Sequence, residues 1–217
     1  MKLLLQLLVF TLCFSAHLSA QTDTSGSSYL FEEFHDAIVF YNDGRQFAVP
    51  LNFNFNTGRY VFIDKADQQE KEFSNPNMVV ALHVGERIFL MSEGKATEVI
   101  QAEPKFHVLY TAQKKKAPAN VPYGGTSETA SVDSYSGLAG QGVTNRAQAN
   151  NRVVTGVDKT YEVQVGRRNR GFYNQRSFLR IFPKTKRAGI ESYIEDHRVD
   201  FNSVKQVFQL YQYAMEQ

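Results

Sequence analysis

Five arginines in the C-terminal part of the chain form the pattern with the clearest chemistry. Arg167, Arg168 and Arg170 lie in a predicted turn, and Arg176 and Arg180 follow on one flank of a predicted helix. A guanidinium group is planar and always charged, and it binds a carboxylate or phosphate with two parallel hydrogen bonds. The cluster therefore predicts a surface for an anionic ligand. The alternatives are that these side chains are only solvated, or that they pair with acidic residues elsewhere in the chain.

The charge along the chain is compatible with each of these interpretations. Residues 21–110 carry 13 acidic and 7 basic side chains, a net charge of −6, whereas residues 111–217 carry 9 acidic and 16 basic, a net charge of +7. Such asymmetry is found in proteins that bind an anionic partner through the basic half. It equally allows the two halves to dock on each other. Because the whole chain has a formal net charge of only +2, we do not expect nucleic acid as the partner.

Two histidines are the candidates for a metal site. His83 and His107 each alternate with apolar neighbours on a predicted strand, so both are expected to point away from the core. If the two strands were adjacent, the imidazoles could share a Zn²⁺ ion. A catalytic zinc site needs about three protein ligands, and spacing in the sequence fixes no third one. We therefore expect two surface histidines, with no metal and no other cofactor.

The sequence carries no strong catalytic motif. It has no Gly-x-Ser-x-Gly, and its one cysteine, Cys13, lies in the N-terminal leader described below. The glycines between 124 and 142 lack the Gly-Lys-Ser/Thr ending of a phosphate-binding loop. Glu32, Glu33 and Asp36 could act as paired carboxylates of a glycosidase only if they faced one cleft. We therefore expect a non-enzymatic binding or scaffolding module, with a periplasmic hydrolase that uses acidic or His residues as the alternative.

The start of the chain is typical of a secretory signal peptide. Met1 and Lys2 give a basic start, and an almost unbroken apolar run covers residues 3–16. The run is too short for a membrane span, and Ala20 supplies the small residue at the cleavage point. Removal of residues 1–20 leaves a chain without cysteine, which must be held together by its own core. The pattern predicts an exported protein without a transmembrane span.

A β domain is predicted for residues 21–116. Four hairpin turns separate short runs of β-branched and aromatic residues, at Asp43-Gly44, 56–59, Gly85-Glu86 and Glu93-Gly94. Asp-Gly between such runs is a strong hairpin signal, because a type I′ turn needs positive φ at both central residues. Hairpins without helical crossovers predict an antiparallel sheet, either a sandwich or a partly open barrel.

The remaining chain divides into a polar segment and a helical one. Residues 117–157 are rich in Gly, Ser and Asn, which is typical of a binding loop folded across the sheet or of a mobile linker. Residues 158–217 begin with a β-hairpin whose first strand runs from Thr160, and continue with two to three short helices. Each helix has one apolar stripe, so Phe182, Ile194 and Phe208 should be buried where the helices pack on the β domain. The predicted fold class is α+β.

Several stretches together resemble a group of exported Bacteroidetes proteins of no assigned activity. The matching stretches are the Asp43-Gly44 hairpin with residues 51–54, residues 84–89, residues 121–127, residues 182–184 with Ile190, Tyr193 and Ile194, and the final helix. The resemblance implies a location in a Gram-negative envelope, either periplasmic or associated with the outer membrane. It also implies that the segment around Tyr123 is ordered, which makes Tyr123 a further candidate for ligand contact. An envelope protein or an anionic envelope polymer is then the expected partner.

Overall fold

A computed structural model of the chain describes residues 27–116, 119–121, 125–127 and 152–217. The predicted leader, Tyr123 and most of the predicted polar segment lie outside the described residues. None of the described helices is long and apolar enough to cross a bilayer.

A ten-stranded antiparallel sheet forms the body of the protein. In chain order its strands are β1 His35–Tyr41, β2 Gln46–Asn54, β3 Arg59–Ile63, β4 Glu70–Glu72, β5 Val79–Val84, β6 Arg87–Leu90, β7 Ala96–Gln101, β8 Phe106–Lys116, β11 Arg152–Val165 and β12 Arg168–Phe172. Strands β9 Ala119–Val121 and β10 Gly125–Ser127 form a separate two-stranded sheet. Across the large sheet the order is β12-β11-β8-β7-β6-β5-β1-β2-β3-β4, so β12 and β4 are its edges.

Three helices follow the last strand: α1 Gln175–Leu179, α2 Lys184–Asp196 and α3 Val204–Glu216. Helix α1 begins with a capping box, in which the Asn174 side chain accepts a hydrogen bond from the Ser177 backbone N–H. The Ser203 side chain caps α3 by accepting a hydrogen bond from the Gln206 backbone N–H. The predicted α+β fold, an antiparallel sheet followed by C-terminal helices, is confirmed.

The sheet curls strongly. Three strands separate β3 from β6, so the two would lie about 19 Å apart in a flat sheet with strands about 4.8 Å from each other. The rings of Tyr60 on β3 and Phe89 on β6 nevertheless lie 6.3 Å apart between centroids. At the rim, the Gly94 N–H of the β6–β7 loop donates to the Gly58 carbonyl of the β2–β3 turn at 3.0 Å. Of the two predicted arrangements, the partly open barrel describes this sheet.

The core lies on the inner face of the curled sheet. One row of directly opposed residues crosses seven strands and is buried throughout: Val39, Leu82, Phe89, Glu98, Val108, Tyr161 and Phe172. The helices cover one end of this face, where the Phe106 ring lies 5.0 Å from Phe208 and 5.2 Å from Tyr211. Apolar side chains from both layers thus share one core, which fixes the helices on the sheet.

The burial of the helix stripes agrees with two of three expectations. Phe182 and Ile194 are buried, at 3% and 6% exposure, as predicted, but Phe182 lies in the connection between α1 and α2 and not on a helix as expected. Phe208 is only half-buried, although its ring lies against Phe106. The prediction of full burial was therefore wrong for Phe208.

Strand β11 begins at Arg152, eight residues before the expected start at Thr160. It pairs with β8 from Arg152 opposite Lys116 to Val163 opposite Phe106, with a bulge between Val154 and Gly156. Residues 152–157 were assigned to the polar segment, but they are strand. Gly156 and the polar residues around it are not typical of a strand, but here the strand is stabilised by its pairing with β8.

Candidate anion-binding site

The five predicted arginines lie on two consecutive elements and the turn that precedes them. Arg167 lies in the β11–β12 turn, Arg168 and Arg170 lie on β12, Arg176 lies in α1, and Arg180 is the C-cap of α1. All five are exposed. Of the five, Arg176 and Arg180 line a common cleft, whereas Arg167, Arg168 and Arg170 lie on the β11–β12 hairpin and do not line it.

Buried aromatic residues hold these elements together. The ring centroids of Phe172 on β12 and Phe178 on α1 lie 4.8 Å apart, and those of Phe178 and Phe182 lie 5.1 Å apart. Each of these three rings is at most 3% exposed. Because the rings are packed below, the polar residues between them point to the outer surface of α1. The arginines are thus presented from a rigid base, although α1 has only one and a half turns.

Arg176 and Arg180 face a cleft between α1 and α2 of about 410 Å³. The cleft is lined by Gln175, Arg176, Leu179, Arg180, Arg187 and Glu191. Arg187 was not among the predicted ligand-binding residues. Its Nε donates to the Phe182 carbonyl at 3.0 Å, which positions its side chain at the wall of the cleft. Three guanidinium groups therefore line one cleft.

These cations are not neutralised within the described part of the chain. None of the five predicted arginines forms an ion pair with a described acidic residue, and Glu191 forms none with the arginines of the cleft. Among the described residues, Lys105 and Glu162 form the ion pair that joins the two halves. In this pair the acidic half supplies the lysine and the basic half supplies the glutamate. Docking of the basic half on the acidic half through these arginines is therefore not observed in this part of the chain.

The two candidate metal ligands are too far apart to share an ion. His83 is opposite Ile88, Ile88 is opposite Val99, and Val99 is opposite His107. Three strand spacings of about 4.8 Å place the two histidines about 14 Å apart along the sheet. A shared Zn²⁺ would need both ring nitrogens within about 2.1 Å of the metal. The described residues contain no group of three or more His, Cys, Asp or Glu that could hold a metal.

His107 also differs from the expected surface histidine. It lies on the outer face of β8, but it is only 9% exposed. Burial, together with the nearby Lys105, lowers the pKa of His107 below its usual value. His83 is half-buried and packs against Phe40, with ring centroids 4.4 Å apart.

No protein-family model, curated protein or solved structure significantly matches this chain. The resemblance to the exported Bacteroidetes group therefore stays a prediction.

A second polar cluster, which sequence reasoning missed, lies inside the curled sheet. Glu98 of β7 is the charged member of the buried row, and Arg87 of β6 pairs with both of its carboxylate oxygens, at 2.7 Å and 2.9 Å. The Tyr110 hydroxyl donates to Glu98 Oε2 at 2.6 Å. Burial raises the pKa of Tyr110, and the Glu98 carboxylate raises it further, so this hydroxyl stays protonated and donates. Every oxygen of the buried carboxylate thus has a donor.

Aromatic rings surround the Arg87 guanidinium. Its central carbon lies 5.1 Å from the ring centroid of Phe31 and 4.9 Å from that of Phe89. The nearby Tyr60 hydroxyl is buried and has no hydrogen-bond partner of good geometry among the described residues. The surrounding core residues are packed at near-zero exposure. Hydrogen bonds in this cluster thus connect side chains of β6, β7 and β8 inside the curled sheet.

Proposed function

We propose that this protein is an exported, non-enzymatic binding module of a Gram-negative envelope, and that it binds an anionic ligand in the cleft between α1 and α2. The observation that carries the binding role is the convergence of Arg176, Arg180 and Arg187 on one cleft without a described acidic partner. Export is supported by the leader pattern in residues 1–20, and the envelope location by the resemblance to the Bacteroidetes group.

The chemistry of the cleft favours carboxylate or phosphate groups. Each guanidinium offers several N–H donors in a planar fork, and three of them around one cleft can bind two or more anionic groups together. Leu179 adds an apolar wall, and Gln175 adds an amide that can donate or accept. The cleft contains one carboxylate, Glu191, which is too few for two-carboxylate hydrolysis. Binding is the function that this set of side chains supports best.

The hydrolase alternative has less support. Its candidate carboxylates, Glu32, Glu33 and Asp36, are all exposed, and none of them lines the cleft. His83 and His107 lie on the outer face of the sheet, three strand spacings apart. The candidate residues of a hydrolase therefore do not line the cleft between α1 and α2.

Calorimetric titration with citrate tests the proposal. Citrate carries several carboxylates and no sugar or base, so it probes anion binding alone. We expect the chain from residue 21 onward to bind citrate, and binding should weaken as salt rises, because exposed charges are screened over about 8 Å at physiological ionic strength. The double variant Arg176→Gln/Arg180→Gln should bind at least about tenfold more weakly, a loss of about 1.4 kcal/mol.

The matched control is Lys65→Gln/Arg152→Gln, which removes the same charge from exposed positions outside the cleft. It should bind citrate as the wild type does. Equal losses in both double variants would mean that citrate responds to net charge and not to the cleft. That result, or no citrate binding at low salt, would contradict the proposed function.

A further inference from the structure

Glu191 is the acidic side chain among those that line the cleft between α1 and α2. It forms no ion pair with a described residue, although Arg176, Arg180 and Arg187 line the same cleft. Arg187 lies four residues before Glu191 on α2, a spacing at which opposite charges on a helix are neighbours. A carboxylate that stays unpaired among three cations can accept hydrogen bonds from a bound ligand.

The contact of Arg187 with Phe182 accounts for the missing pair. The Arg187 Nε donates to the Phe182 carbonyl at 3.0 Å, and Phe182 precedes the first residue of α2. The guanidinium is thus held towards the start of the helix, whereas Glu191 lies one helical turn beyond Arg187, about 6 Å along the axis. The α2 wall of the cleft therefore presents a positive and a negative group at two separate positions.

The charges of the cleft favour a ligand that carries both signs. A ligand with only anionic groups brings them close to the Glu191 carboxylate, and like charges repel. An ammonium group in the same ligand removes this repulsion and donates a charge-assisted hydrogen bond to the carboxylate. Since the three arginines outnumber Glu191, the ligand needs anionic groups as well. The cleft volume of about 410 Å³ suits a small molecule.

We infer that the ligand is a small molecule with one ammonium group and two anionic groups, in which Glu191 binds the ammonium group and the three arginines bind the anionic groups; this inference rests on the proposed anion-binding function. Glutamate and glutarate are the probes. Both have a five-carbon chain with two carboxylates, and glutamate adds an amino group, which is protonated at pH 7. Calorimetry at pH 7 and low salt, on the chain from residue 21 onward, measures both affinities.

The expected order of affinities is the reverse of the order of net charge. Glutarate is a dianion and glutamate a monoanion, so a cleft that responded to net charge alone would bind glutarate more tightly. We expect the wild type to bind glutamate at least about fivefold more tightly than glutarate, because Glu191 pairs with the ammonium group. Glu191→Gln keeps the three arginines and should bind glutarate more tightly than glutamate.

Glu195→Gln is the matched control for Glu191→Gln. Glu195 is exposed on the same helix and does not line the cleft. The control removes the same charge from α2 and should keep the preference for glutamate. Because both glutamates are exposed, both variants should have the melting temperature of the wild type.

The outcomes distinguish this inference from the function on which it rests. If citrate and glutarate bind but glutamate binds no more tightly than glutarate, the role of Glu191 is wrong and anion binding stands. A preference for glutamate that persists in Glu191→Gln, or that is lost equally in Glu195→Gln, also overturns the inference. If citrate, glutarate and glutamate all fail to bind, both the inference and the proposed function are wrong.

Discussion

Arg87 and Glu98 are joined by two parallel hydrogen bonds, from Nε to Oε1 at 2.7 Å and from Nη2 to Oε2 at 2.9 Å, inside a sheet that is otherwise lined by apolar side chains. The two residues lie on adjacent strands, β6 and β7, in the part of the sheet that curls towards β3. The Glu98 side chain is 7% exposed and that of Arg87 is 40% exposed. A buried carboxylate is tolerated here because it is fully paired.

Replacing Glu98 by Gln should destabilise the protein by about 3 kcal/mol. Breaking a buried ion pair leaves a charge without its partner and costs about 3–5 kcal/mol, and partial exposure of Arg87 places this pair at the low end. Urea unfolding followed by circular dichroism measures the change. Glu86→Gln, at an exposed turn next to β6, is the matched control and should change stability by less than about 0.5 kcal/mol. Similar midpoints for both variants would show that the pair contributes little.

Replacing Gly58 by Ala tests the contact at the rim of the curled sheet. Gly58 has φ +71°, and a Cβ there would lie 2.9 Å from the Gly94 Cα. Gly85 has φ +58° with no atom within 4 Å of the same position, so Gly85→Ala carries the backbone strain alone. We expect about 1–2 kcal/mol of destabilisation for Gly85→Ala and clearly more for Gly58→Ala. Equal losses of stability in the two variants would mean that the backbone at Gly94 moves aside without a measurable loss of stability.

The buried His107 should make stability depend on pH. Burial and Lys105 lower its pKa in the folded protein, whereas the unfolded chain has the ordinary value of about 6.5. As pH falls below about 6.5, the unfolded chain therefore binds a proton before the folded one does, and the free energy of unfolding decreases until the folded pKa is passed. The Glu162 carboxylate near His107 limits the effect, since it favours the charged imidazole.

Unfolding midpoints in urea between pH 7 and pH 5 measure this dependence. His107→Gln should remove part of the decrease on acidification, because glutamine does not titrate. Parallel slopes for the wild type and His107→Gln would contradict the role of His107.

The helix contacts predict a difference between two phenylalanines. Phe182 is 3% exposed and packs against Phe178, so Phe182→Ala should cost about 3–5 kcal/mol. Phe208 is half-buried, so Phe208→Ala should lower the free energy of unfolding by less than Phe182→Ala does, although the Phe208 ring contacts Phe106. Denaturant midpoints measure both. A larger loss for Phe208 than for Phe182 would mean that the helices are held mainly by α3.

Local patterns predicted the elements well, because their signals lie within a few residues. The Asp43-Gly44 hairpin joins β1 to β2 as predicted, although only Gly44, and not Asp43, has a positive φ, so the turn is not of type I′. The curl of the sheet could not be predicted in the same way. It depends on the meeting of Gly58 and Gly94, which are 36 residues apart in the sequence.

In the candidate site, too, residues of one element could be predicted, whereas residues from separate elements could not. Arg176 and Arg180 were predicted because they lie one helical turn apart on one element. Arg187 and Glu191 join them from α2, beyond Pro183, and no spacing rule relates two separate helices. No local sequence pattern marks Glu98 as buried, and only its register opposite Phe89 and Val108 places it in the core.

The location of the anion site can be measured directly by nuclear magnetic resonance of the arginine side chains. In a citrate titration of the chain from residue 21 onward, the Nε–H signals of Arg176, Arg180 and Arg187 should shift together with one dissociation constant, because all three line one cleft. The signal of Arg152, which lies at the start of β11, should stay in place. Shifts of Arg152 as large as those of the cleft arginines, or no shift at Arg176 and Arg180, would contradict the account.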